Sequence, residues 1–362
     1  MAAKSLSVTG FCCMVTQPQG LGLDMLKSRV VVGAGVAVAL AIAVDAAHAQ
    51  SNPQFGLAGV ALEGVILQRH DVGNALMTVP DGGADPYFKV SFSDLDPSTA
   101  GGLRLQLDGW LFGQRTVYSV LGAWGFDSSL LRTGMDPSSG GGTDAAYVPS
   151  STVNTANSNE LDTLQAKFRS SLFSTDSAAY FFGGAPDRPG FNFIAGGRTI
   201  IVDERLRTAA YDSYSDYDPG DDDVDRVKLD VSNWATGLQI GIEGYTYIAP
   251  GFKLGGFVKG GLLANFVDVK SRFSSDDDAD NRLRKSHDST EFAQFVELSA
   301  RVSYEIAPNM ELTASGMMLY VNGIAEAGSH FSGVADADAR RIDADSDALF
   351  YGGTVGLMYR FN

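Results

Sequence analysis

Cysteine is almost absent from this chain. Cys12 and Cys13 are the only two among 362 residues. That excludes a disulfide scaffold and leaves no Cys/His spacing suited to zinc. Basic residues are also scarce, with 27 Lys and Arg against 43 Asp and Glu and a formal charge of −16. A chain so acidic lacks the basic face that nucleic-acid phosphates require. After residue 49 no run approaches 18 consecutive apolar residues, so no stretch is suited to a membrane-spanning helix. Helical periodicity is poor, and no Gly-x-Ser-x-Gly nucleophile elbow occurs.

One apolar run is present. Val30 to Val44 carries no charge, follows Lys27 and Arg29, and precedes Ala47-His48-Ala49. A positive start, a short apolar middle and a small-x-small ending read as a secretory signal peptide over 1–49, cut before Gln50, with Met25 as an alternative start. The expected mature chain, 50–362, is one domain. It has 24 basic and 41 acidic residues, a charge of −17, and no cysteine.

What fills 50–362 is alternation with period two. Trp234, Thr236, Leu238, Ile240 and Ile242 share one face, opposite Gln239 and Glu243. Phe252, Leu254, Val258, Leu262 and Phe266 share another, opposite Lys253, Lys259 and Asn265. Ten such segments are expected: 55–68, 101–113, 116–126, 159–173, 190–204, 231–247, 252–269, 290–306, 309–325 and 346–361. Most are far longer than the five or six residues of an ordinary strand. The gaps between them run 32, 2, 32, 16, 26, 4, 20, 2 and 20 residues. Long and short connections alternate, which is the layout of a transmembrane antiparallel up-and-down β-barrel with long external loops and short periplasmic turns. Tight turns are expected at Gln114-Arg115, Ile248–Gly251 and Ala307-Pro308. Twelve strands would follow if Tyr87–Phe92 and Ala178–Phe182 also joined. Trp124, Trp234, Tyr247, Tyr304 and Tyr351 lie near segment ends, as interfacial girdles require.

The last segment alternates Tyr351, Gly353, Val355, Leu357, Tyr359 and Phe361 to the end of the chain. It resembles the C-terminal signature of bacterial outer-membrane barrels, although Asn362 follows the closing aromatic. The resemblance implies recognition by the barrel-assembly machinery through Tyr351, Val355, Leu357, Tyr359 and Phe361. More narrowly, Phe193–Arg198 with Asp203-Glu204, Trp234–Gly244 and Gly256–Leu262 resemble segments of the Legionella-type major outer-membrane protein family, described as pore-forming. That resemblance implies a barrel in the outer membrane, surrounded by lipid and lipopolysaccharide, and passive permeation. It supplies no catalytic residues.

Assigning the less apolar face inward predicts a lumen lined by Glu63, Arg104, Asp108, Lys167, Arg169, Arg198, Glu243, Lys253, Lys259, Glu297, Arg301, Glu305, Glu311 and Arg360. Ten strands lie near the filled end of barrel sizes, so a narrow porin-like channel for small polar solutes is expected, with an acidic rim favouring cations. The alternative is a structural or surface-interaction barrel acting through its acidic external loops. Those loops are 205–230, 270–289 and 326–345. Asp216, Asp218, Asp221, Asp222 and Asp223 crowd the first of them and form a candidate calcium cluster, but a twelve-residue calcium loop with its closing Glu is missing. No other cofactor is indicated. An outer-membrane hydrolase would draw on His70, His287 and His330. Asp71 and Asp288 adjoin the first two, as expected by chance in so acidic a chain.

Overall fold

The computed structural model describes residues 55–70, 75–80, 86–91, 97–133, 163–181, 189–211, 225–274, 283–330, 342 and 344–361. The expected leader and both cysteines lie outside the described residues.

Among the described residues, ten strands close into one antiparallel barrel. They are β1 (Phe55–His70), β4 (Ala100–Leu111), β5 (Gln114–Thr133), β6 (Thr163–Phe181), β7 (Gly190–Tyr211), β8 (Asp225–Ala249), β9 (Phe252–Ser274), β10 (Leu283–Ala307), β11 (Met310–Ile324) and β12 (Ser346–Arg360). Two short strands, β2 (Ala75–Pro80) and β3 (Pro86–Ser91), pair with each other in a separate sheet within the first long connection. Each barrel strand pairs with its chain neighbour, and β1 closes the ring by pairing with both β4 and β12. Phe361 N donates to Ala58 O and Arg360 N to Asn309 O, which fastens the last strand at the seam.

Twelve barrel strands are ruled out by this topology. Residues 87–91 belong to the separate hairpin, and Ala178–Phe181 continue β6 rather than forming a new strand. The expected gap of 16 residues at 174–189 therefore shrinks to residues 182–189. The first tight turn also shifts. It is Phe112-Gly113, both with positive φ (52° and 78°), and Gln114 and Arg115 already belong to β5. Two consecutive left-handed residues suit the twist of a hairpin, and glycine supplies one without strain.

The outer wall explains the length of the strands. Leu238, Ile240, Val258, Leu262, Phe292 and Val355 are 76 %, 72 %, 54 %, 61 %, 65 % and 62 % exposed. On β8 the outward apolar set runs from Trp234 to Ile248, 15 residues. That is about 46 Å of strand, or about 35 Å along the barrel axis at the usual tilt, enough for a bilayer core with its aromatic girdles. Water has no use for such a surface; hydrocarbon does, provided no sheet edge is left unpaired.

Beyond Trp234 the polarity inverts. On β8 Val227, Leu229 and Val231 point inward and are buried, while Lys228 and Asp230 point outward. The same exchange occurs on β6, where Phe168 is buried between the exposed Lys167 and Arg169 and Leu172 is buried further along the same face. It recurs on β7, where Val202 and Leu206 are buried between Asp203, Arg205 and Arg207. The lower part of each of these strands is apolar outside; the upper part is apolar inside. The inversion marks where lipid gives way to water.

Leu238→Arg should cost about 2–4 kcal/mol in urea unfolding from phospholipid vesicles, because the charge would enter hydrocarbon. A variant as stable as the parent would contradict a lipid-facing outer wall.

Candidate functional site

Among the described residues all ten strands build the lumen together, and its inward residues form layers. Nearest the short turns lies a ring of ions. Arg115 grips Asp108 through two hydrogen bonds of 3.1 and 2.7 Å and stacks 4.5 Å from the centroid of Tyr180. Tyr180 donates to Glu243 at 2.7 Å. Glu311 accepts from Lys253 at 2.5 Å and lies 3.0 Å from Arg360. These groups line a cavity of about 150 Å³ together with Arg104, Arg301 and Lys259.

Deeper, Glu63 lies 3.9 Å from Arg104 and 3.6 Å from Arg301, and it accepts from Thr313 and Thr354. The next layer is the tightest. Asp176 accepts from Lys259 and Gln239 and sits 3.5 Å from Arg198, whose other contact is Glu297 at 2.5 Å. All four charged side chains in this layer are almost fully buried. Such ions persist away from water only as partners, since stripping one leaves another uncompensated.

Above this layer the lumen is apolar. Leu67, Leu121, Phe126, Leu172, Ile200, Phe295, Leu319 and Phe350 are buried in one cluster. Phe126 meets Phe350 edge-on at 5.4 Å. A bulge at Gly125 (φ 96°) shifts the register between Trp124 and Phe126, and so Phe126 turns inward.

Over the apolar layer sits a second buried ion cluster. Arg69 is completely buried, 2.6 Å from Glu204 and 3.0 Å from Glu326, between the rings of Phe168 and Phe350. Glu326 belongs to a strap that follows β11 and folds into the barrel mouth; residues 325–328 are buried. Asn233 clasps the backbone of Ala325 by two hydrogen bonds of 2.8 Å, Asn265 donates to Gly323 O at 3.0 Å, and Ala327 N donates to Glu204 at 2.8 Å.

Eleven of the fourteen residues expected in the lumen face inward and are buried or half-buried. Glu305 lies on the inward set of β10 but is exposed at the short-turn rim. Lys167 and Arg169 are a correction: they point outside, and Arg169 pairs with Asp127 at 3.0 Å with 65 % of its side chain exposed. Apolar residues alternate with them, but here the apolar side faces the core. Above the apolar layer Arg69, Glu204 and Glu326 lie outside the expected set, and below it two charged lumen residues do as well. Asp176 fell in the presumed gap after 173, although Leu172, Ser174, Asp176, Ala178 and Tyr180 continue the alternation. Arg115 was assigned to a turn, although Phe112-Gly113 is the better turn pair. With these changes seven cations face seven carboxylates below the apolar layer, among the described residues.

His70 is exposed at the end of β1, His287 is half-buried on β10, and His330 lies at the end of the strap with Nδ1 2.8 Å from Glu326 O. Among the described residues no group of three or more His, Cys, Asp or Glu could hold a metal ion. The Asp216–Asp223 cluster lies outside the described residues. Tyr351, Val355, Leu357, Tyr359 and Phe361 form one exposed outward row on the last strand, with Tyr359 and Phe361 packed edge-on at 5.3 Å.

The sequence matches no protein-family model and no curated protein. Among solved structures it is similar to the outer-membrane protease OmpT of Escherichia coli, at 12 % identity over 86 % of this chain and 98 % of that one, with a TM-score of 0.41. It is also similar to Ail, the attachment invasion locus protein of Yersinia pestis, at 9 % identity over 84 % and 99 % of the two chains, with a TM-score of 0.22. The toluene transporter TodX of Pseudomonas putida matches at 8 % identity over 86 % and 90 %, with a TM-score of 0.24. The fold is an outer-membrane type of β-barrel, and that assignment rests on the closed ladder itself.

Asp176→Ala should lower stability by about 3–5 kcal/mol, because Lys259 and Arg198 would lose a buried partner. Asp176→Leu combined with Lys259→Met should recover most of that loss in the same urea titration. Equal stability of the single variant and the parent would contradict the ion layer.

Proposed function

We propose that this chain is an outer-membrane barrel with a sealed lumen that works as a structural or surface-interaction protein at its external end. One observation carries the reading: the apolar layer around Phe126, Phe295 and Phe350 stands across the lumen, with the Arg69–Glu204–Glu326 cluster and the strap above it. An ion following the lumen would leave a polar ring, enter a close-packed apolar layer and then meet a buried, neutralised ion cluster. This layering supports a closed lumen over the expected narrow channel. The cavity near the short turns ends beneath this barrier.

The outer-membrane location is supported by the lipid-suited outer wall, the secretory leader read in 1–49 and the outward aromatic row of the last strand. Work at the external end is supported by the extension of β7 to β10 past the apolar band into water. The same end carries the acidic connections.

The purified barrel in planar bilayers should give no reproducible conductance steps, and liposomes containing it should not swell in small sugars. Stepwise, cation-selective conductance would overturn this reading in favour of the channel.

A further inference from the structure

In so acidic a chain, the cavity near the short turns has a wall in which cations outnumber carboxylates. Among the described residues six cations line it, Arg104, Arg115, Lys253, Lys259, Arg301 and Arg360, against Asp108, Asp176, Glu243 and Glu311. Most of these charges are partnered. Asp108 holds Arg115, Asp176 holds Lys259, and Glu311 holds both Lys253 and Arg360. Glu243 accepts from Tyr180. Two guanidinium groups remain, on Arg104 and Arg301.

Both approach the same carboxylate, and neither reaches hydrogen-bond distance. Arg104 Nη1 lies 3.9 Å from Glu63 Oε2, and Arg301 Nη2 lies 3.6 Å from Glu63 Oε1. The two oxygens of Glu63 accept instead from Thr313 and Thr354. Arg104 Nη1 is buried with no hydrogen-bond partner. The same holds for Ser299 Oγ, two residues from Arg301 on the inward face of β10. Arg104, Ser299 and Arg301 all line the cavity. Buried donors are nearly always satisfied, and a ligand carrying oxygen acceptors would satisfy these. Even with Glu63 counted, five carboxylates leave one of the six cations unbalanced. The lower lumen as a whole reaches equality only through Glu305, which is exposed at the rim. A positive charge held away from water without a partner is costly, and one anionic group offsets it.

We propose that this cavity is a binding site for a small carboxylate. Its oxygens lie between the guanidinium groups of Arg104 and Arg301, with the Ser299 hydroxyl as a further donor. The single unbalanced charge selects a monoanion over a phosphate, which carries more. The guanidinium forks match two oxygens on one carbon and give a halide no such match. A volume of about 150 Å³ admits a solute of few heavy atoms and excludes a polymer or a folded partner. With the apolar layer across the lumen above, the solute enters and leaves at the short-turn end. That route rests on the closed lumen proposed above; the binding itself does not. The site is separate from the external end and its acidic connections.

The test is isothermal titration calorimetry of the full barrel in a neutral detergent, with lactate, inorganic phosphate and chloride at constant ionic strength. One lactate should bind per barrel, about tenfold or more tighter than either phosphate or chloride. Arg301→Gln should weaken lactate binding about tenfold or more, because a charged hydrogen bond is lost. Ser299→Asp supplies a built-in carboxylate beside Arg301, so it should abolish lactate binding and raise the urea midpoint. Arg272→Ser combined with Arg284→Ser removes two exposed cations near the external end of β9 and β10 and should leave lactate binding unchanged. Heat-dependent gel mobility checks the fold of every variant, and Ser299→Asp decides the matter if Arg301→Gln does not fold. Absence of lactate binding, equal affinity for chloride, or unchanged affinity in Ser299→Asp would overturn the site. Loss of binding in the Arg272, Arg284 variant would move it out of the lumen and overturn it as well. Tighter binding of phosphate than of lactate would overturn the choice of a carboxylate.

Discussion

Closure of the hydrogen-bonded ladder is the constraint on which everything else depends. A sheet in hydrocarbon cannot leave a row of amide and carbonyl groups unpaired, because each would cost several kcal/mol with no water to relieve it. β1 meets that demand by pairing on one side with β4 and on the other with β12. Once the ring is closed, every residue has one of two addresses, wall or lumen. The chain must then satisfy two solvents at once. The residues that alternate along each strand are the response to that demand.

The lumen shows what happens when a ring of this size is filled by side chains. Ten strands enclose too little space for a wide aqueous channel and too much for aliphatic side chains alone. The interior is stacked instead: paired ions, then an apolar layer, then a buried arginine held between two glutamates and two phenylalanines. Near-equal numbers of cations and carboxylates in the lower layers let the buried charges pair, and the layer above is apolar. The strap returns backbone into the mouth, where Asn233, Asn265 and Glu204 satisfy its polar groups.

Much of this was legible in the sequence. Alternation located all ten barrel strands to within a few residues at most ends, and the rhythm of long and short gaps gave the up-and-down order. Eleven inward charges were readable because, within the bilayer, the apolar side of a strand must face out. The same rule misassigned Lys167 and Arg169. On the upper part of β6 the solvent outside is water and the apolar neighbours Phe168 and Leu172 face a packed core, so the meaning of hydropathy reverses. The pattern is identical in both halves of the strand; only its orientation differs, and alternation carries no sign.

By itself, then, the sequence determined the class of fold and the pairing of each strand with its neighbour, because period, length and turn spacing are local properties of the chain, while ten strands against twelve was decided by the ring. Tertiary structure decided the rest. Asp176, Arg198, Lys259 and Glu297 come from four strands that only the closed ring brings together. Arg69 meets Glu326 across 257 residues of chain. Arg104 and Arg301, far apart in the chain, approach Glu63 together only in the closed ring. Two cysteines and few basic residues set the limits of the first reading. It was the ring that gathered six of those few basic residues around one cavity of an otherwise acidic protein.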